Sequence, residues 1–185
     1  MKILISGFLP FSTHSENSSQ IITERFKTHK IDGFEIHSVI LPVTFNGAFE
    51  CLKAEIDSFR PEAVVCLGLA GERKVVSLEQ VAINFIHSKT PDNEGVMRTH
   101  ELILKQGPNA YFSTLPLKKM LAIKSSYPLE ISLSAGAYVC NYTMFQVLHY
   151  LQGSKVKGGF IHLPNLNDDE DKIFETVAAL IKTIN

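Results

Sequence analysis

Residues Glu62–Gly71, EAVVCLGLAG, decide the fold. The run through Leu67 is short, apolar and bounded by Pro61 and Gly68, which predicts a buried strand with Cys66 in the core. Just upstream, Asn46–Phe59 reads as a helix, because Phe49, Leu52 and Ile56 recur at three and four residues until Pro61 stops the pattern. Further back, Phe34–Val43 is rich in β-formers and follows Gly33, so it reads as another strand. Ser18 or Ser19 can cap a helix through about Lys27 that turns Ile21, Ile22 and Phe26 inward. Lys2–Ser6 opens the chain as a first buried strand, and Gly7–Ser19 follows as a loop carrying Phe8 and Phe11. Strand, helix, strand, helix, strand is the signature of an α/β fold with a largely parallel central sheet. Gly68–Gly71 then falls at a strand's carboxyl end, the edge of such a sheet where ligands bind.

Downstream the pattern continues less regularly. Val75–Phe85 reads as one strand carrying a single acid, Glu79, in an apolar run; such a carboxylate lies either at an edge in water or inside with a partner. Ile86–Pro108 has little periodicity, and irregular stretches of that length tend to cover a site or form an interface. Residues 111–116 lead into a helix containing Met120 and Leu121, and Ile131–Leu133 is a short strand. The stretch Ser134–His149, SAGAYVCNYTMFQVLH, reads as a strand end, a tight turn and a helix start. Gly158–Leu163 is a last strand bearing His162, and Asp168 and Asp169 open a closing helix with Ile173, Val177, Leu180 and Ile181 inward.

Composition narrows the function. The 185 residues, 45% of them hydrophobic, predict a single domain over 1–185. A net charge of −1 without any basic stripe argues against nucleic acid or a membrane surface as partner. The apolar stretch near Met1 is too short for a signal-peptide core, and no run approaches the roughly 20 apolar residues of a membrane span. Three cysteines, Cys51, Cys66 and Cys140, stand in unrelated contexts, which points to reduced thiols and a cytoplasmic location. No HExxH, CxxC, P-loop or GxGxxG pattern occurs, so neither a metal nor a phosphate-bearing cofactor is signalled.

What remains is acid–base and thiol chemistry. Cys140 falls at a helix start, where unpaired backbone N–H groups and the helix dipole favour a thiolate. A cysteine of this kind otherwise fills core. His162 falls at a strand end in the same layer, and a carboxylate able to orient it would complete a nucleophile, base and orienter. Phe8 and Phe11 either plug the sheet end or line an apolar pocket.

These residues sit in motifs that run nearly end to end. They are Gly7-Phe8 with Pro10-Phe11, Leu41-Pro42-Val43, Glu79–Asn84, Pro91–Gly95, Gly107-Pro108, Ala110–Pro116, Val139-Cys140-Asn141 and Gly158–Pro164. On them the chain resembles the pyroglutamyl peptidase I family, cysteine peptidases that remove an N-terminal pyroglutamyl residue from peptides. The resemblance implies a three-layer α/β/α sandwich with a mixed sheet, no cofactor and no metal, and a homo-oligomer, dimer or tetramer. It implies Cys140 as nucleophile, His162 as general base and acid, and Glu79 as the residue orienting His162. Phe8 and Phe11 match the residues flanking the lactam ring, and Asn17, Leu69, Lys89, Thr90, Tyr138 and Val139 fall at further substrate-binding positions. Leu69 stands where the family commonly has glutamine, Lys89 where it has arginine and Ser18 where it has proline; Tyr138 replaces phenylalanine and Thr90 isoleucine. Lys89 keeps the charge but lacks the planar fork of arginine. Two other readings stand beside this one: an amidase or peptidase acting on another N-acyl group, and a binding protein that keeps the fold without catalysis.

Overall fold

A computed structural model describes every residue except Thr13, His14, Asp168 and Asn185. Its main sheet has six strands in the order β2-β1-β3-β8-β4-β7. These are β1 (Lys2–Phe8), β2 (Glu35–Leu41), β3 (Ala63–Leu69), β4 (Val76–Glu79), β7 (Leu129–Ser132) and β8 (Lys157–Leu163). β2, β1, β3 and β8 run parallel, while β4 pairs antiparallel to β8 and parallel to β7. A separate ribbon pairs β5 (Val81–Ile83) with β6 (Ala110–Phe112).

Alternation along the strands sends two apolar sets to opposite faces. Ile3, Ile5, Val65, Leu67, Leu78, Ile161 and Leu163 meet α1 (Ser18–Arg25), α3 (Leu117–Leu121) and α5 (Glu170–Lys182) on one side. Leu4, Phe8, Val64, Cys66 and Phe160 meet α2 (Ala48–Phe59) and α4 (Val139–Tyr150) on the other. The result is the three-layer α/β/α arrangement with a mixed, mostly parallel sheet. The face toward α4 is the one that carries Gly68 and His162.

Three local expectations change. The stretch 75–85 is two strands, because Gln80 leaves the main sheet: its N–H donates to the Ser132 carbonyl at 2.8 Å, while its own carbonyl accepts from Ser113 N–H at 2.9 Å in the turn after β6. The residue capping α1 is Asn17, whose side-chain oxygen accepts from Ser19 N–H at 3.0 Å, and neither Ser18 nor Ser19. Phe8 ends β1 and is buried, so it belongs to the sheet and not to the loop after it. Asp168 lies outside the described residues; Asp169 stands just before α5 and makes no side-chain cap, pairing with Lys172 at 2.6 Å.

Candidate active site

Gly136 takes φ +79°, a conformation that glycine adopts without strain, and turns the chain from β7 toward α4. Tyr138 is extended and precedes the helix, so Cys140 is the second residue of α4, beside N–H groups with no intrahelical acceptor. Asn141 fixes this helix end to the ribbon. Its side chain accepts from Ile83 N–H at 2.9 Å and donates to the Ile83 and Phe85 carbonyls at 2.9 and 3.0 Å.

The strand below positions the base. His162 pairs in register with Gly68 of β3, and a Cβ placed on Gly68 would lie 3.2 Å from Cys140 Sγ and 2.7 Å from the Phe160 ring. Glycine at 68 therefore lets the sulfur settle onto the sheet next to the histidine's strand. The Phe160 ring packs in tilted contact with His162 at 4.8 Å and with Phe8 at 6.2 Å between centroids. Glu79 is opposite Phe160 on β4, diagonal to His162, and its Oε1 lies 2.7 Å from His162 Nδ1.

Glu79 is fully buried on a strand that lies between β8 and β7, so the exposed-edge alternative is gone. Burial works most strongly on its carboxyl group and would raise its pKa. The His162 hydrogen bond and charge, Ser132 and Arg73 outweigh burial and hold it below the ordinary carboxylate value. Ser132, its register partner on β7, acts by proximity, for Oε2 itself makes no hydrogen bond among the described residues. Because an ionised carboxylate only accepts, His162 Nδ1 carries the proton and Nε2 is left to act as a base.

The thiol departs from expectation. Burial pushes Cys140 up to about 12, the Glu79 charge adds to the rise and Arg73 opposes it. Desolvation thus works against the helix terminus, although Cys140 as a whole is only half-buried.

Beside the sulfur opens a narrow apolar pocket lined by Phe8, Phe11, Asn17, Val43, Leu69, Tyr138 and Cys140. Among the described residues, no charged side chain lines it. Asn17 is largely engaged already, donating to the Leu9 carbonyl at 3.0 Å and accepting from Ser19 N–H and Oγ. Leu69 ends β3 and offers an apolar wall. The Tyr138 hydroxyl donates to the Pro91 carbonyl at 3.0 Å, and Thr90 stands beside it. Thr90 and Lys89 are exposed and do not line the cavity; Val139 is fully buried in the core beneath α4.

Four contributors were not singled out from sequence. Val43 completes the wall, Phe160 packs against the His162 ring, Asn141 anchors α4, and Arg73 binds Glu79 Oε1 at 2.7 Å. A buried strand glutamate demands a counter-charge, and Arg73 is the nearest arginine in the chain; that signal was present in the sequence. The other three depend on long-range register and carry no local mark.

Among the described residues, no three His, Cys, Asp or Glu side chains group as a metal would require. A thiol at a helix start, a histidine hydrogen-bonded to a buried carboxylate and an adjoining apolar pocket at the sheet edge form the kind of arrangement that cysteine-type hydrolysis calls for. The chain belongs to the pyroglutamyl peptidase family, whose model matches residues 1–179. It is 41% identical over 167 residues to the pyrrolidone-carboxylate peptidase of Erwinia tasmaniensis, covering 89% of this chain and 78% of that one. Among solved structures it resembles pyroglutamyl peptidase I of Bacillus amyloliquefaciens, with a TM-score of 0.94 and 28% identity over 99% of this chain and 96% of that one. It also resembles a mutant pyrrolidone carboxyl peptidase of Pyrococcus furiosus, with a TM-score of 0.93 and 33% identity over 100% of this chain and 98% of that one.

Proposed function

We propose that this protein hydrolyses the bond after an N-terminal pyroglutamyl residue, with the lactam ring in the cavity beside Cys140. The observation that carries the reading is that the described residues lining that cavity, Phe8, Phe11, Asn17, Val43, Leu69, Tyr138 and Cys140, include no charged side chain. A free or prolyl N-terminus brings a protonated amine and would need a carboxylate there, whereas a lactam is neutral.

In the mechanism that follows, His162 Nε2 takes the Cys140 thiol proton as Sγ bonds to the carbonyl carbon of the pyroglutamyl residue. Backbone N–H groups at the start of α4, beginning with that of Cys140, stabilise the oxyanion. The carbon–nitrogen bond breaks as His162 returns the proton to the leaving amine, giving a thioester. Water, deprotonated by His162, then releases pyroglutamate and restores the thiol. Glu79 accepts from Nδ1–H throughout and stabilises the imidazolium.

Hydrolysis of a pyroglutamyl chromogenic amide, with the prolyl amide as competitor, tests this reading. Cleavage of the first alone, abolished in Cys140→Ser, is expected. Equal cleavage of both, or activity in folded Cys140→Ser, would overturn it.

A homo-oligomer, dimer or tetramer, in the reducing cytoplasm completes the proposal. The exposed Phe112, Leu102 and Leu133 side chains and the three free cysteines support it. Sedimentation velocity tests the assembly. No described helix is long and apolar enough to cross a membrane.

A further inference from the structure

Arg73 belongs to the loop between β3 and β4, and no step above uses it. Its Nη1 lies 2.7 Å from Glu79 Oε1, the same oxygen that accepts from His162 Nδ1. Its Nη2 donates at 3.0 Å to the carbonyl of Ser134, in the segment that leads to Cys140. One planar guanidinium thus spans the acid of the site and the approach to the nucleophile.

The chemistry calls for such a group. Glu79 is wholly buried, and while His162 is neutral the carboxylate would have no counter-charge from its partner. A carboxylate in that position tends to protonate, and a carboxylic acid that donates to the imidazole would reverse the tautomer His162 needs. Arginine stays charged at every working pH and, unlike lysine, can hold two acceptors in a fixed plane. The remaining groups around Glu79 do not supply this charge. From β8 it faces His162, from β7 the neutral Ser132, from α4 the Cys140 thiol, and on the same face of β7 another acid, Glu130, bonds Ser77 at 2.7 Å.

We propose that Arg73 is a positioning residue for this reaction: it keeps Glu79 an acceptor in both protonation states of His162, and it ties the Cys140 approach to the same carboxylate. The inference rests on the hydrolase reading above and extends it to a residue that does not line the substrate cavity.

The test compares wild type with Arg73→Met, which removes the charge but keeps the stem, and Arg73→Lys, which restores the charge without the fork. Hydrolysis of the pyroglutamyl amide is followed against pH, with and without millimolar methylguanidinium. Arg73→Met should lose kcat by about 10–100-fold, part of the general acid–base contribution, with KM nearly unchanged. Its acidic limb should move toward neutral pH as Glu79 protonates more readily. Arg73→Lys should return the limb but only part of kcat, and methylguanidinium should raise the rate of Arg73→Ala, whose truncated side chain leaves room for it, and not that of wild type. Unchanged kcat and an unmoved limb in folded Arg73→Met would overturn the proposal. So would a loss of kcat with neither a shifted limb nor rescue, since that is what a purely structural role gives. If wild type itself left the pyroglutamyl amide intact, the hydrolase reading would fail instead, and the two failures are thereby distinct.

Discussion

Asp92 shows how the irregular segment after β5 shapes the pocket. It is 5% exposed, and its carboxylate accepts from three backbone N–H groups: Phe45 at 2.9 Å, Glu94 at 3.0 Å and Val96 at 2.9 Å. The turn it closes also sends Asn93 Nδ2 to the Pro10 carbonyl at 2.9 Å and Asn93 N–H to the Val43 carbonyl at 3.0 Å. Val43, the Pro10–Phe11 turn and Tyr138, which meets Phe45 edge-on at 5.5 Å, all border the cavity. In Asp92→Ala the buried Phe45 N–H loses its only acceptor, at about 2–3 kcal/mol. The Glu94 and Val96 groups reach water and lose about 0.5–1 kcal/mol each, so the total is about 3–5 kcal/mol. Asp92→Asn keeps an oxygen toward Glu94 and Val96 but turns an amide NH2 against Phe45 N–H, costing about 2–3 kcal/mol. Urea unfolding reads the stability, and pyroglutamyl amide kinetics should show KM rising more than kcat falls. A folded Asp92→Ala within about 1 kcal/mol of wild type and with unchanged KM would refute the argument.

Phe8 and Phe11 should separate core from pocket. Phe8 is 2% exposed against Phe160, so Phe8→Ala costs about 3–5 kcal/mol in chemical denaturation. Partly exposed Phe11 allows Phe11→Ala at under about 1 kcal/mol while raising KM several-fold, and an unchanged KM would remove it from the cavity wall. Alkylation of Cys140 by iodoacetamide, followed by peptide mass mapping, should accelerate by about tenfold per pH unit across neutrality, because burial keeps the thiol protonated. A plateau reached below neutral pH would mean a resting thiolate–imidazolium pair. Since the folded thiol lies above its ordinary 9.0, its contribution to stability is fully present below pH 9 and is lost as pH rises toward about 12.

The alternation of apolar runs and helical periodicity made the layers readable, because the buried β3 and the amphipathic α2 each follow from local pattern. Glu79 and His162 were readable for a different reason. A glutamate inside an apolar run demands a partner, but that the partner is His162 came only from the family resemblance, and the two do meet in the structure. Gln80 was not readable, because nothing in an 11-residue apolar run says that one residue will donate to one sheet and accept from another. For Cys140 the helix start is a local signal that sequence carries, whereas the desolvation that opposes it comes from the three-dimensional surroundings, with Gly68 close beneath the sulfur. Val43 and Phe160 entered the site by register alone. Lys89 and Thr90, placed in the substrate set by resemblance, lie on the exposed side of the turn whose backbone shapes the cavity.

The central claim is that Cys140 attacks a carbonyl delivered by a lactam ring seated in the apolar pocket beside the sulfur. It is tested most directly by treating the protein with the chloromethyl ketone of pyroglutamic acid and mapping the modified residue by mass spectrometry, with the prolyl reagent in parallel. The account predicts rapid labelling of Cys140 by the pyroglutamyl reagent alone, suppressed by excess pyroglutamyl amide. Labelling of Cys51 or another residue in its place, or equal labelling of Cys140 by both reagents, would contradict it.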